Sequence, residues 1–292
     1  MASTIVGIDI GGTGLRAAKV KDDKLGKVIT SGVSANEAAD VVLNQIFALT
    51  DQLMQDGDVD AIGIGVPGII DPKEGIVYNV RNIPSWKEVH LKKYMEARYH
   101  LPVLVNNNAN CFALGEKYFG KGKDIESFIA LLLGSGFGAG ILIDGKLHSG
   151  RNCGAGEFGM MSYKDQNYEY YASGQFFRNC HNTSGYTIYD LAQTGDEKAL
   201  NIFRELGTHI GRAIQTILYS YDVERIIMGG SVSIAYKFFK DEMWKEVSRL
   251  QFKKSLEHFE LQISSLSSYD SIILGAAALF YDKMFRHLLL KK

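Results

Sequence analysis

Thr4-Ile5-Val6-Gly7-Ile8-Asp9-Ile10-Gly11-Gly12-Thr13-Gly14-Leu15-Arg16-Ala17-Ala18-Lys19-Val20 opens the chain with a β-branched apolar run, a glycine-rich turn and a second apolar run. This pattern predicts a β-hairpin. Its turn follows a carboxylate, Asp9, with residues of little bulk, Gly11, Gly12 and Thr13, so backbone N–H groups can come close to a polyanion. A phosphate with its magnesium ion suits that geometry, because Mg²⁺ takes one or two carboxylates together with substrate phosphates. Taken alone, the turn is equally what a tight hairpin requires.

Working outward, a strand is expected over 27–34. A helix is expected over 36–55, with Asn36 as cap and Val41, Val42, Ile46, Leu49 and Leu53 at helical spacing. A buried strand over 60–66 ends at Pro67-Gly68. An irregular loop over 71–85, a helix over 89–98, a strand over 102–105 and a second helix from about Ala109 follow. Strands alternating with helices at these spacings predict an α/β sheet with crossover connections.

The second half echoes the first. An apolar strand over 128–133 meets Gly134-Ser135-Gly136-Phe137-Gly138-Ala139-Gly140, and the chain returns through 141–143. A long helix over 197–221, a strand over 225–228 and a turn at Gly229-Gly230-Ser231 complete a second α/β unit. A closing helix is expected from Leu274 to Leu290. At 292 residues the chain is long enough for two cores. The expected division is an N-terminal domain over 1–118 joined by the C-terminal helix 274–292, and a larger domain over 119–273, with a hinge near residue 120.

Gly134-Ser135-Gly136 sits at the end of a strand matching the first, which makes a phosphate clamp a better account of both turns than hairpin geometry alone. Gly229-Gly230-Ser231 offers a third close-approach point, suited to the adenosine. None of the three carries the lysine of a Walker motif or a strand-to-helix GxGxxG, so P-loop and Rossmann sites fit poorly.

Composition narrows the function classes. Hydrophobic residues make up 46% and charged residues 22%, with only four prolines, as in an ordinary globular protein. Lys plus Arg at 32 nearly balances Asp plus Glu at 33, and no dense basic run suggests nucleic acid as a partner. No stretch reads as a membrane span or an N-terminal signal, and a cytoplasmic location is expected. Cys111, Cys153 and Cys180 are an odd number at wide spacing, which suggests neither a disulfide framework nor a four-ligand zinc site.

The three turns, in this order and spacing, resemble the phosphate and adenosine motifs of the sugar kinase, hexokinase and actin superfamily. Within it the chain resembles the ROK family of sugar kinases and repressors. Further matches are Val66-Pro67-Gly68, Asn82-Ile83-Pro84-Ser85-Trp86, Asn107-Asn108-Ala109-Asn110 and Gly154-Ala155-Gly156-Glu157-Phe158-Gly159. The resemblance implies a two-domain actin-like, ribonuclease H-like fold with a cleft between the domains, Mg-ATP and a sugar as ligands, and commonly a homodimer. Asp9, Gly11, Gly12, Thr13, Gly134, Ser135, Gly136, Gly229, Gly230 and Ser231 would meet ATP, with Asp9 on magnesium. Gly68, Asn82, Asn107, Asn108, Glu157 and Glu169 would line the sugar site. Amides and carboxylates suit that task because they discriminate hydroxyls through paired hydrogen bonds.

Two departures from the family pattern stand out. The family has Asn-Asp-Ala-Asn where this chain has Asn107-Asn108-Ala109-Asn110, and its Asp is the general base. An amide does not take that proton at neutral pH, and a general base contributes roughly 10² to 10⁴ in rate. Phosphoryl transfer also depends on positioning and charge neutralisation, which survive the change. A substrate-trapping substitution, a binding-only pseudokinase and a kinase with its base elsewhere all remain open. The second departure is Met160 in place of a zinc-binding His, with no cysteine cluster after it, so no zinc is expected.

Glu157-Phe158-Gly159-Met160-Met161 resembles a zinc-free branch that includes bacterial β-glucoside kinases, which phosphorylate the 6-hydroxyl of the non-reducing glucose of cellobiose and related glucosides. Trp86 or Tyr168, Tyr170 and Tyr171 would then be candidates to stack on a second ring, with core packing the competing role for the tyrosines. Glucose, N-acetylmannosamine and fructose stay open as substrates. Family repressors place a helix-turn-helix ahead of the first glycine motif. With about eight residues before Asp9, no DNA reader is expected here.

Overall fold

The computed structural model describes residues 3–12 and 14–281. The opening hairpin is present: β1 (Ile5–Ile10) and β2 (Gly14–Lys21) pair antiparallel, with Asp9 opposite Arg16. Every residue of β1 is buried, which is why, Asp9 apart, it carries apolar residues and glycine rather than an alternation. β3 (Lys24–Leu25) and β4 (Ile29–Gly32) both pair with β2.

α1 (Ala39–Met54) starts later than expected. Asn36 is not its cap: it lies within a turn in which the Glu37 N–H donates to the Ser34 carbonyl at 3.0 Å, and Ala38 leads into the helix with no side-chain cap. After β5 (Ala61–Val66), the supposed irregular loop holds regular structure. β6 (Ile69–Asp71) and β7 (Ile76–Tyr78) form an antiparallel hairpin joined by β8 (Glu88–Val89). Asp71 closes that hairpin by accepting from the N–H groups of Lys73 and Glu74, the side-chain turn chemistry typical of Asp. α2 (Leu91–Tyr99), β9 (Val103–Asn107) and α3 (Asn108–Phe119) complete this part.

The second half contains β10 (Phe128–Leu133), β11 (Phe137–Ile143), β12 (Lys146–Leu147), β13 (Ser162–Tyr163) and β14 (Gln166–Asn167). There follow α4 (Tyr168–Ala172), α5 (Gln175–His181), α6 (Gly185–Gln193), α7 (Glu197–Tyr221), β15 (Arg225–Gly229), α8 (Tyr236–Val247), β16 (Glu260–Ile263) and α9 (Ser268–Ala278). α7 is capped by Asp196 and packs an apolar face that includes Phe203, Ile210 and Ile214. No helix among the described residues is long and apolar enough to cross a membrane.

The described residues divide into two compact units, those up to 126 with 140–155 and 265–281, and 127–139 with 156–264. The first has a sheet in the order β3-β2-β1-β5-β9, in which β1, β5 and β9 are parallel. Its helix α9 starts at Ser268, capped by Ser267, six residues before the expected closing helix. Its described part ends at Ala278, and 282–292 lie outside the described residues. α9 crosses α3 closely because Gly115 and Gly275 lie at the contact. A side-chain carbon on either would overlap the backbone of Ser271 or Cys111. In the second unit β10, β15 and β16 run parallel.

Candidate active site

In the first unit the register of the parallel strands gathers the expected residues at one edge. Asp9 lies beside Gly65, Gly65 beside Asn106, and Val66 beside Asn107, all at the carboxyl ends of β1, β5 and β9. Open α/β sheets bind ligands at that edge. Asp9 is 3% exposed, and burial pushes its carboxyl up to about 7 while Arg16 pulls the other way. Arg16 Nη1 lies 3.6 Å from Asp9 Oδ2. The Gly11 N–H donates to the Gly14 carbonyl at 2.9 Å and closes the turn. Thr13 lies outside the described residues.

Gly12 brings the turn against the Asn82 loop: a side-chain carbon there would overlap Asn82 Cβ. Asn82 is exposed, whereas Trp86 in the same loop is fully buried in the unit's core. Trp86 therefore does not offer a face to a second sugar ring, contrary to the expectation from sequence.

Asn107 is buried and has two local tasks. Its Oδ1 accepts from the Ala109 N–H at 2.8 Å, capping α3, and its Nδ2 donates to the Gly68 carbonyl at 3.0 Å. Gly68 itself has φ +107°, a backbone conformation that favours glycine. Asn108, the first residue of α3, is half-buried beside this pair. Two residues without an assigned role hold the corner from behind. Asn106 Oδ1 accepts from the Asn107 N–H at 2.8 Å and from Asn110 Nδ2 at 2.9 Å, and both side chains are buried. Cys153 is buried near Asn107, and burial pushes its thiol up to about 11, so it stays protonated.

The second unit brings two glycine turns together. β10 and β15 are parallel with Leu132 opposite Gly229, so Gly134-Ser135-Gly136 and Gly229-Gly230-Ser231 leave the sheet side by side. Ser135 and Ser231 are exposed at the two turns. Gly230 has φ +95°, and a side-chain carbon there would collide with the Leu133 carbonyl.

Glu169, expected at the sugar, lies next to the first of these turns. Its Oε2 accepts from the Phe137 N–H at 3.1 Å and its Oε1 from Gln175 Nε2 at 3.0 Å. Glu157 is half-buried and leads into the short 3-10 helix Phe158–Met160.

The tyrosines form a structural cluster. Tyr163 stacks on Tyr168 at 4.4 Å between ring centres, and the Tyr168 hydroxyl meets Thr216 Oγ1 at 2.7 Å. The Tyr163 hydroxyl lies 3.1 Å from Nδ1 of the buried His209, a ring that also packs on Tyr171 and Phe176. Burial and Lys164 lower the His209 pKa to about 4. Tyr168 is thus packed away from solvent, which favours core packing over ligand stacking for this ring. Met160 is 41% exposed, and among the described residues no three His, Cys, Asp or Glu side chains group as metal ligands.

Sequence inspection missed Arg16, Asn106, Asn110 and Gln175. Arg16 was within reach, because the register of the predicted hairpin pairs it with Asp9 across a Gly-rich turn. Asn106 and Asn110 bond within five residues of one another but carry no motif that marks the pair, and Gln175 meets Glu169 only through the turn between α4 and α5.

A family model described as "ROK family" matches residues 5–283. The chain belongs to the ROK family. Among ROK relatives, a glucokinase of Thermotoga maritima is 27% identical over 96% of this chain and 98% of its own length. A beta-glucoside kinase of Listeria innocua is 30% identical over 78% of this chain and 83% of its own. The solved structure of a ROK family glucokinase from Streptomyces griseus, in complex with glucose and AMPPNP, superposes with a TM-score of 0.84. It is 29% identical and covers 95% of this chain and 99% of its own. The fold is therefore the actin-like α/β fold that the resemblance implied.

Proposed function

We propose that the chain is an ATP-dependent sugar kinase that phosphorylates the 6-hydroxyl of the non-reducing glucose of a β-glucoside such as cellobiose. The observation that carries this function is the alignment of Asp9, Gly65 and Asn106-Asn107 at the ends of three adjacent parallel strands, with the Gly12 turn packed on Asn82. This arrangement supports a reading in which one edge serves both the nucleotide phosphates and the sugar hydroxyls. Support for the β-glucoside substrate comes from the name of the Listeria relative and from Met160 at the family's zinc-ligand position, while the name of the Thermotoga relative supports a sugar kinase and favours glucose.

Asp9 fits magnesium, because one carboxylate at a strand end is what this ion takes beside substrate phosphates. When bound, the ion would neutralise charge on the transferring phosphoryl group. In this reading the Gly11-Gly12 turn would meet the phosphates, and the Gly134–Gly136 and Gly229–Ser231 turns, which lack bulk, would each offer backbone to a nucleotide. Asn82, Asn107 and Glu157 orient the sugar through hydrogen bonds. Holding the acceptor hydroxyl in line for attack is worth several kcal/mol even without a base. Asn108 stands where the proton would be taken and, as an amide, positions the hydroxyl without deprotonating it.

Asn108 also favours a second function, a sugar-binding pseudokinase. A coupled ADP-release assay with Mg-ATP against cellobiose, glucose, N-acetylmannosamine and fructose separates the two. Turnover strongest on cellobiose supports the β-glucoside kinase, and a different best sugar corrects the substrate alone. Silence from both this chain and its Asn108→Asp variant on all four sugars favours the binder.

A further inference from the structure

We infer that Arg16 is a positioning residue for the nucleotide site, held in place by Tyr269; this rests on Asp9 and its glycine turn being that site. Arg16 projects from β2 directly opposite Asp9 across the hairpin, and its Nη1 lies 3.6 Å from Asp9 Oδ2. That spacing exceeds a close charge-assisted hydrogen bond, so the cation orients the carboxylate without saturating its lone pairs. A buried carboxylate deprived of the cation facing it is costly to keep charged and in place. The guanidinium is itself fixed from the other side, with Cζ 3.5 Å from the centre of the Tyr269 ring on α9. A planar guanidinium does both jobs at once, pairing through its edge and stacking through its face. The Arg16 side chain is 21% exposed, close to the turn a polyphosphate would approach, and adds positive charge there. β1, β2 and α9 thus form one device: the hairpin supplies the ion pair and the closing helix supplies the stack.

The test is calorimetric binding of Mg·AMPPNP and, separately, of cellobiose and glucose to the full chain and to Arg16→Ala, Arg16→Lys and Tyr269→Leu. Arg16→Ala is expected to weaken Mg·AMPPNP by about 10- to 100-fold and to leave sugar affinity within about twofold. Arg16→Lys should restore only part of the loss, since it keeps the charge but not the planar stack on Tyr269. Tyr269→Leu should cost about 2- to 5-fold for nucleotide alone. Unchanged or tighter nucleotide binding by Arg16→Ala overturns the role while leaving the kinase site intact, and so does an equal loss of sugar and nucleotide. Should Arg16→Ala fail to fold, Tyr269→Leu decides, and nucleotide affinity equal to that of the unmodified chain overturns the inference. An unmodified chain that binds no Mg·AMPPNP sinks the site and the inference together.

Discussion

The side-chain amide of Asn107 donates to the Gly68 carbonyl at 3.0 Å, and the same side chain caps α3 through its oxygen. One residue therefore ties the loop after β5 to the start of the helix that carries Asn108. Asn107→Asp keeps the acceptor and loses the donor, whereas Asn107→Ala loses both. Loss of a cap costs about 0.5–2 kcal/mol. Chemical denaturation should show Asn107→Ala less stable than Asn107→Asp, and calorimetry should show both weakened for sugar.

Restoring a carboxylate at Asn108 tests the chemistry directly. Asn108→Asp should raise sugar-dependent ADP release by about 10² to 10⁴, with KM for ATP little changed because the substitution lies on the acceptor side. A gain below about threefold would mean that another group already takes the proton or that the chain only binds.

Gly12 and Asn82 share the space that a side chain at position 12 would need. Gly12→Ala must displace either the turn or the Asn82 loop, so both nucleotide and sugar affinities should fall together. That joint loss contrasts with the nucleotide-only effect expected for Arg16→Ala. Parallel calorimetric titrations of the two variants separate a steric link from an electrostatic one.

His209 gives the second unit a predictable acid sensitivity. Its folded-state pKa is lowered from 6.5 to about 4, by burial first and then by Lys164, with Glu205 opposing. Between those values the unfolded chain binds the proton and the folded chain does not. Stability is therefore fully present above about pH 6.5 and is lost as pH falls towards 4. Thermal unfolding measured across this range should show a slope that His209→Asn reduces, since the amide keeps a partner for Tyr163 without titrating.

Much of the site was readable because it consists of short motifs whose chemistry is local. A carboxylate followed by glycines, or glycines directly after an apolar strand, states its geometry within a few residues. Other features defeated linear inspection for specific reasons. Asn36 looked like a cap, but the turn from Ser34 to Glu37 claims that stretch first. The segment over 71–85 lacks strand-like length, yet Asp71 and its turn bonds make a hairpin of it. Trp86 looked like a sugar platform in a site loop, and only the core around it shows that the ring is spent on packing. Glu169 carries a sugar-site expectation, while its described bonds go to Phe137 and Gln175 beside a glycine turn.

By itself the sequence determined the α/β class, the family and the order of the glycine turns, because strand periodicity and backbone access for a polyanion are properties of neighbouring residues. Tertiary structure alone decided which groups face one another. Strand register set Asp9 beside Gly65 and Asn106, the crossing of α9 put Tyr269 on Arg16, and burial moved the Asp9 carboxyl up to about 7. Those outcomes depend on residues far apart in the chain and on how much water each group keeps, neither of which is written in any single stretch of sequence.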